Sequence, residues 1–156
     1  MQIISKSPKE TLHLGKRMSQ LLKGGDIICL FGNLGSGKTV LTKGIAWGMG
    51  IKKEKVVSPS FVLIRQYTKV NPPLYHFDLY RLKDPKEIID LGYEEYFYNG
   101  GVAVIEWADR LDYLLPKEYL KVELSLAKDL SRLIKFKAYG ARYETLLEKI
   151  NEDFRH

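Results

Sequence analysis

The chain has 156 residues, of which 45% are hydrophobic and 28% are charged, and these proportions exclude a disordered or fibrous chain. Its formal net charge of +6 is moderately basic, which would suit an RNA-containing partner but equally a solvated, lysine-rich surface. Because no apolar segment approaches membrane-spanning length and the amino-terminal residues lack the apolar part of a secretory signal, we expect a cytoplasmic protein without membrane contact, folded as one domain over residues 1–156.

The first part of the chain alternates helix and strand patterns. Ser7 and Pro8 form a helix start, and Glu10 is placed to complete a capping box. The apolar run DIICLF then predicts a parallel strand that is buried on both faces. Cys29, the only cysteine, lies in this run and is predicted to be a small buried side chain. After a glycine-rich loop, residues 38–49 carry the pattern of a second helix.

The remaining chain adds strands of two kinds. SFVLIRQYT and PLYHFDLY are rich in β-branched and aromatic residues and predict an antiparallel pair of strands. A helix start at Asp84 and Pro85 follows, and we expect this helix to stop near Gly92. GVAVIEW predicts another buried strand, whereas YLKVELSL and SRLIKFKAY alternate polar and apolar residues and predict strands with one face towards water. With a closing helix over residues 142–151, the pattern predicts an α/β domain.

The segment FGNLGSGKTV places the spacing Gly-x-x-x-x-Gly-Lys-Thr between a predicted strand and a predicted helix, which is the setting of a phosphate-binding loop. Glycines let backbone N–H groups converge on phosphate oxygens, and the start of the helix adds a partial positive charge. Lys38 would reach the β and γ phosphates, and Thr39 would offer its hydroxyl to Mg²⁺. The residues predicted to bind phosphate are Gly32, Asn33, Leu34, Gly35, Ser36, Gly37, Lys38, Thr39 and Val40.

Hydrolysis of a nucleotide also needs a carboxylate that holds the metal and a group that places the attacking water. Asp78 and Glu106 each end a strand-like run, and ligands of open α/β sheets bind beyond the carboxyl ends of the strands. Glu106 is the stronger Mg²⁺ candidate because the residues before it are wholly apolar. The alternative for either residue is a strand-end acid without a role. His76, in the run before Asp78, is predicted to be a packing or hydrogen-bonding residue rather than a proton carrier.

The motifs GNLGSGKT, SPSF, YHFDLYRL and IEWADRL occur in this order, and with them the chain resembles the TsaE family (formerly YjeE), the bacterial ATPases of tRNA threonylcarbamoyladenosine biosynthesis. The resemblance is close over residues 11–115 and looser beyond them. It departs from the common pattern at Asn33 and Ser60, where family members more often have aspartate and threonine. The resemblance implies a three-layer, P-loop NTPase-like fold whose mixed central sheet has a parallel core and additional antiparallel strands.

The same resemblance implies roles for the acidic and loop residues. It assigns the loop to the phosphates of ATP and gives Thr39 and Glu106 to Mg²⁺. It places Asp78 in the catalytic centre. The predicted catalytic residues are therefore Lys38, Asp78 and Glu106.

Further residues would surround the nucleotide by the same resemblance. Residues 58–61 would form a switch-like segment near the γ phosphate, with Ser60 supplying its hydroxyl. Trp107 would lie beside the nucleotide, although packing in the core is an equal alternative for an indole after a buried strand. Thr11 and Arg132 would approach the adenine.

The resemblance also implies partners. Members of the TsaE family dock on the TsaD–TsaB pair, which moves the threonylcarbamoyl group to tRNA, so tRNA would be reached indirectly through that assembly. We expect slow ATP hydrolysis by the isolated, monomeric chain because the motifs contain no obvious cis arginine finger. Arg65, Arg81 and Arg110 stay open as candidates, of which Arg81 is the best placed.

Other functions compete with this interpretation. A small-molecule kinase shares the phosphate loop but usually needs a mobile, arginine-rich lid, and no such segment is visible between the strands. A GTP switch would need an Asn-Lys-x-Asp stretch, which the sequence lacks. A nonenzymatic RNA-binding module would rest on the basic charge alone, without the aromatic and basic pattern of an RNA-recognition motif.

Overall fold

The computed structural model describes residues 1–59 and 61–155. Its strands are β1 Gln2–Ser5, β2 Ile27–Phe31, β3 Ile64–Tyr67, β4 Leu74–Asp78, β5 Val102–Glu106, β6 Tyr119–Leu126 and β7 Arg132–Tyr139. Its α-helices are α1 Pro8–Ser19, α2 Lys38–Gly48, α3 Lys86–Asp90, α4 Glu94–Phe97 and α5 Ala141–Phe154. Two 3₁₀ segments, Lys53–Lys55 and Ala108–Leu114, complete the regular structure of this part of the chain.

The strands form one seven-stranded sheet in the order β1-β7-β6-β2-β5-β4-β3. Its centre is parallel, because β2 pairs in parallel with β6 on one side and with β5 on the other, and β5 pairs in parallel with β4. Its edges are antiparallel, with β3 against β4 and with β7 between β6 and β1. The predicted mixed sheet with a parallel core is therefore confirmed.

Helices cover both faces of the sheet and produce the three predicted layers. One apolar cluster lies between the sheet and the helices α1, α2 and α5, and a second lies between the sheet and α3, α4 and Ala108–Leu114. The central strand β2 contributes Ile28 and Leu30 to the first cluster and Ile27 and Cys29 to the second. Successive strand residues point to opposite faces, so a strand covered on both sides appears in the sequence as a continuous apolar run.

Cys29 lies in this central strand, where it is fully buried and forms no disulfide. Burial raises the pKa of its thiol because the thiolate would lose its hydration, and the thiolate is the form that reacts. We therefore expect no alkylation of the native protein by iodoacetamide at neutral pH and complete alkylation after unfolding in guanidinium chloride. Mass spectrometry of the treated protein measures this, and native labelling at the unfolded rate would contradict the buried position.

The predicted start of the first helix is confirmed with one change. Ser7 precedes α1, and its hydroxyl accepts a hydrogen bond from the Glu10 N–H at 3.1 Å. The Glu10 carboxylate accepts from the N–H of Lys6 at 2.7 Å, one residue earlier than in a capping box. The Glu10 carboxylate therefore binds the Lys6 N–H and not the Ser7 N–H, and it stabilises the connection between β1 and α1.

The structure differs from the strand predictions in two places, with one strand that was not predicted and one that is shorter than predicted. Nothing in the sequence predicts β1, whose four residues are too few to establish a periodic pattern. The stretch SFVLIRQYT forms a strand only over Ile64–Tyr67. Before it, the Pro59 carbonyl accepts from the N–H groups of Val62 and Leu63 at 3.0 and 2.7 Å, and Leu63 has a φ of 67°. These bonds form a turn, and its apolar side chains imitate the start of a strand.

The helix predictions are confirmed in place and adjusted in length. The helix after Asp84 ends before Gly92, which has a φ of 70°, and the short helix α4 follows without a sequence prediction. The closing helix α5 continues beyond its predicted end to Phe154. Over residues 1–59 and 61–155, no helix has both the length and the apolar character needed to cross a membrane.

Candidate functional site

The glycine-rich loop joins the carboxyl end of β2 to the amino end of α2. Its glycines have positive φ angles, 148° at Gly32, 80° at Gly35 and 109° at Gly37, which side chains disfavour. At Gly32 there is also no space, because a Cβ would lie 2.4 Å from the Leu124 carbonyl oxygen and 2.6 Å from the Ser36 hydroxyl. The loop therefore holds a backbone shape that depends on glycine, immediately before the exposed N–H groups of a helix.

Lys38 lies within this loop, not in solvent. Its ammonium donates to the carbonyl oxygens of Gly32 and Asn33 at 2.5 and 3.0 Å and lies 4.0 Å from the centroid of the Trp107 ring. Burial lowers the pKa of the Lys38 ammonium, and nearby carboxylates, Glu106 first among them, oppose that shift. A bound anion would compensate the lost hydration and favour the charged form.

Thr39 and Glu106, the predicted metal ligands, are in contact. The Thr39 hydroxyl donates to Oε1 of Glu106 at 2.7 Å, and Glu106 is only 2% exposed. Both oxygens are hard donors of the kind that Mg²⁺ prefers. The described residues contain no group of three or more His, Cys, Asp or Glu side chains that could hold a metal. An ion held by this pair would therefore take most of its oxygen ligands from phosphate and water, as Mg²⁺ commonly does.

Asp78 lies beside Glu106 at the same edge of the sheet, since the two are register partners on β4 and β5. It is 4% exposed, and both of its oxygens accept hydrogen bonds. One bond comes from the N–H of Tyr80 at 3.0 Å, and the other is a close contact from the hydroxyl of Ser58. Because Ser58 begins the predicted switch-like segment, Asp78 connects that segment to the end of β4.

A cleft of about 370 Å³ brings these groups together. The predicted site residues that line it are Leu34, Gly35, Gly37, Lys38, Thr39, Val40, Asp78, Glu106, Trp107 and Arg132. A larger hollow of about 800 Å³ lies near the amino end of β2, but it contains no part of the glycine-rich loop. The chemistry of the lining, and not the volume, therefore identifies the smaller cleft as the candidate site.

Known proteins match this chain along most of its length. The family described as threonylcarbamoyl adenosine biosynthesis protein TsaE matches residues 5–134. The tRNA threonylcarbamoyladenosine biosynthesis protein TsaE of Bacillus subtilis is 43% identical over 145 residues, which cover 93% of this chain and 90% of that protein. This chain belongs to the TsaE family. The protein of the same name from a Nostoc species is 38% identical over 143 residues, covering 89% of this chain and 86% of that one.

A solved structure has the same fold as this TsaE-family chain. The crystal structure of YdiB from Bacillus subtilis superimposes with a TM-score of 0.83 at 37% identity, covering 98% of this chain and 95% of that one. The family resemblance and the fold class predicted from the sequence motifs are therefore both confirmed.

Some predicted site residues of the TsaE-family chain do not line the cleft. Gly32, Asn33 and Ser36 contact the Lys38 ammonium from within the loop. Thr11 is buried in α1, where its hydroxyl lies 2.7 Å from the hydroxyl of Ser5, so it supports the junction of β1 and α1. Its role near adenine stays a prediction. Ser60 lies outside the described residues, and its predicted role also stays a prediction.

The three candidate arginines differ in position. Arg81 lines the cleft, and its guanidinium carbon lies 4.1 Å from the centroid of the Phe61 ring. Arg110 donates to the carbonyl of Tyr80 at 2.8 Å, and Arg65 is exposed on β3. Arg81 is therefore the one among the three that borders the candidate site.

Two aromatic residues form one wall of the cleft. Trp107 has a φ of 57° and a ψ of 43°, a left-handed conformation that is uncommon for a bulky residue and is often associated with functional sites. Its ring lies 5.1 Å from that of Tyr80, which also lines the cleft. Sequence reasoning missed Tyr80, because an aromatic residue after a strand is more often part of the core.

Proposed function

We propose that this protein binds and slowly hydrolyses Mg-ATP in the cleft at the carboxyl end of β2. The observation that carries the proposal is the glycine loop that surrounds the buried Lys38 ammonium at the start of α2. The contact between Thr39 and Glu106 adds a pair of oxygen donors at the same edge of the sheet. Phosphate with a divalent ion satisfies both features, whereas an anion without a metal would leave the Glu106 carboxylate facing negative charge.

Different residues of the chain bind the phosphates, hold the metal and orient the water. The loop N–H groups and Lys38 bind the β and γ phosphates, and Thr39 and Glu106 hold Mg²⁺. The ion, when bound, neutralises charge that develops on the phosphate oxygens. Asp78 orients the attacking water, and the hydrogen bond that it accepts from the Ser58 hydroxyl connects the γ-phosphate side of the cleft to the loop that follows Val57.

We further propose that the chain supports threonylcarbamoyladenosine modification of tRNA by docking on the TsaD–TsaB pair, with tRNA reached through that assembly. The names of the relatives support the pathway. Exposed apolar side chains on the loops beside the cleft support docking at this end of the molecule, since such groups often mark protein contacts. They are Leu34, Val57, Phe61 and Val62. Because the Ser58 hydroxyl donates to Asp78, loss of the γ phosphate on hydrolysis would change the position of the loop that carries three of these four side chains.

The deciding experiment measures ATP turnover by the purified chain alone and with purified TsaD and TsaB. We expect slow turnover alone and clear stimulation by the pair. Val62→Asp, a charge placed on the exposed loop, should reduce the stimulation and keep the basal rate, whereas Ile89→Asp on the exposed side of α3 should change neither. Absence of stimulation by the pair, together with phosphate transfer to a nucleoside or sugar, would favour a small-molecule kinase.

A further inference from the structure

His76 is a fully buried polar residue in an apolar part of the sheet. It lies on β4 between Leu74 and Asp78 on one face of the strand, and its register partner on β5 is Val104. Leu74 and Val104 both belong to the apolar cluster beneath α2. Among the described residues the Nδ1 atom of His76 has no hydrogen-bond partner. An imidazole is therefore a poor choice for packing here, because a buried polar atom without a partner is destabilising.

The other ring nitrogen of His76 explains its presence. Nε2 is in close contact with Oε2 of Glu106. The Thr42 hydroxyl approaches the same oxygen at 3.5 Å, whereas Oε1 of Glu106 takes the hydroxyl of Thr39 at 2.7 Å. The two carboxylate oxygens thus have different partners, one facing the core and one facing the cleft.

A carboxylate at the end of a glutamate side chain has a broad torsional preference, so its orientation must be fixed by neighbours. With a proton on Nε2, the imidazole donates to Oε2 and holds it towards the core. Oε1 is then left to face Thr39 and any ion bound there. Partners behind a metal ligand commonly determine its orientation and its affinity for the metal.

We propose that His76 is a positioning residue, which orients the Glu106 carboxylate for Mg²⁺ while touching neither the ion nor the nucleotide. This inference rests on the proposed function as a Mg-dependent nucleotide-binding protein. The sequence left packing and hydrogen bonding open for His76, and the inference selects hydrogen bonding and adds what the bond accomplishes. It also explains why a polar ring occupies a position where a leucine would pack against the surrounding Leu74 and Val104 side chains.

The test measures binding of a non-hydrolysable ATP analogue by calorimetry, with and without Mg²⁺, so that the readout is the gain in affinity that Mg²⁺ confers and not activity. In His76→Leu we expect binding without Mg²⁺ to stay near the wild-type value and the gain from Mg²⁺ to fall roughly 10-fold or more. His76→Gln should recover most of the gain, because its amide nitrogen reaches about as far as Nε2. His76→Asn should not, because its amide is too short to reach Oε2.

A matched control is available at Tyr67, whose buried hydroxyl is the other side-chain atom without a hydrogen-bond partner among the described residues. Tyr67 lies on β3 and does not line the cleft, so Tyr67→Phe should leave the gain from Mg²⁺ unchanged. A packing role for His76 predicts the reverse ranking, with His76→Leu equal to wild type and His76→Gln impaired, and that ranking would overturn the inference. If His76→Leu does not fold, the difference between the Gln and Asn variants decides. A wild-type protein that gains nothing from Mg²⁺ would refute the proposed function itself.

Discussion

Lys38→Ala is expected to lower ATP hydrolysis by roughly 100-fold or more and to weaken Mg-ATP binding, because it removes a positioned donor to the transferring phosphate. The Lys38 ammonium already lies inside the loop, held by the carbonyls of Gly32 and Asn33. A phosphate oxygen would replace these carbonyls without bringing a solvated lysine in from water. The measurement is the steady-state rate of phosphate release, together with calorimetric binding of the ATP analogue.

Lys43→Ala is the matched control, since it removes the same charge from α2 at a residue that does not line the cleft. We expect it to keep the wild-type rate. Lys38→Met should also lose activity, because it keeps most of the length of the side chain and removes the ammonium that donates to the loop carbonyls. Full hydrolysis by Lys38→Ala, measured beside a normal Lys43→Ala, would contradict the phosphate-loop assignment.

The shape of the glycine loop and the positions of Lys38 and Thr39 at the start of α2 could be predicted from the sequence because local rules determine them. The pattern consists of glycines with positive φ followed by a lysine and a threonine at the start of a helix. All of these residues lie within a few positions of one another in the chain. Glu106 and Asp78 could be placed at one edge because the carboxyl ends of parallel strands meet there. The loop residues are neighbours in space because they are neighbours along the chain, whereas the strand rule places the two carboxylates at one edge without showing that they are register partners.

Other contacts depend on which strand lies beside which, and no local pattern encodes that. The approach of His76 to Glu106 requires β4 next to β5, and the bond from Ser58 to Asp78 requires a turn where the side chains suggest a strand. The strand β1 gains its place only by pairing with β7, which follows more than a hundred residues later in the chain. These features arise from long-range pairing, so only the structure reveals them.

The sequence also did not predict the close packing of α1 against α2. At Gly44 this packing opposes helix propensity, so the sign of the stability change in Gly44→Ala shows which effect is larger. A Cβ on Gly44 would lie 2.1 Å from the carbonyl oxygen of Leu12, and one on Gly15 would lie 2.4 Å from that of Leu41. Helix propensity alone predicts that alanine at Gly44 stabilises the fold by about 1 kcal/mol. Overpacking costs up to about 3 kcal/mol in typical cases. We expect a cost near that value here, because no side-chain rotation can relieve contact with a backbone oxygen.

We therefore expect Gly44→Ala to lower the free energy of unfolding by about 2 kcal/mol and the melting temperature by roughly 4–8 °C. Lys43→Ala, on the same helix, should leave the melting temperature nearly unchanged. Because α2 carries Lys38 and Thr39 at its amino end, a shift of the helix away from α1 should also move Thr39 relative to Glu106 and weaken binding of the Mg²⁺-bound ATP analogue. Differential scanning calorimetry measures the first effect and titration calorimetry the second. A melting temperature above the wild-type value would show that propensity outweighs contact and that the two helices are not packed backbone to backbone.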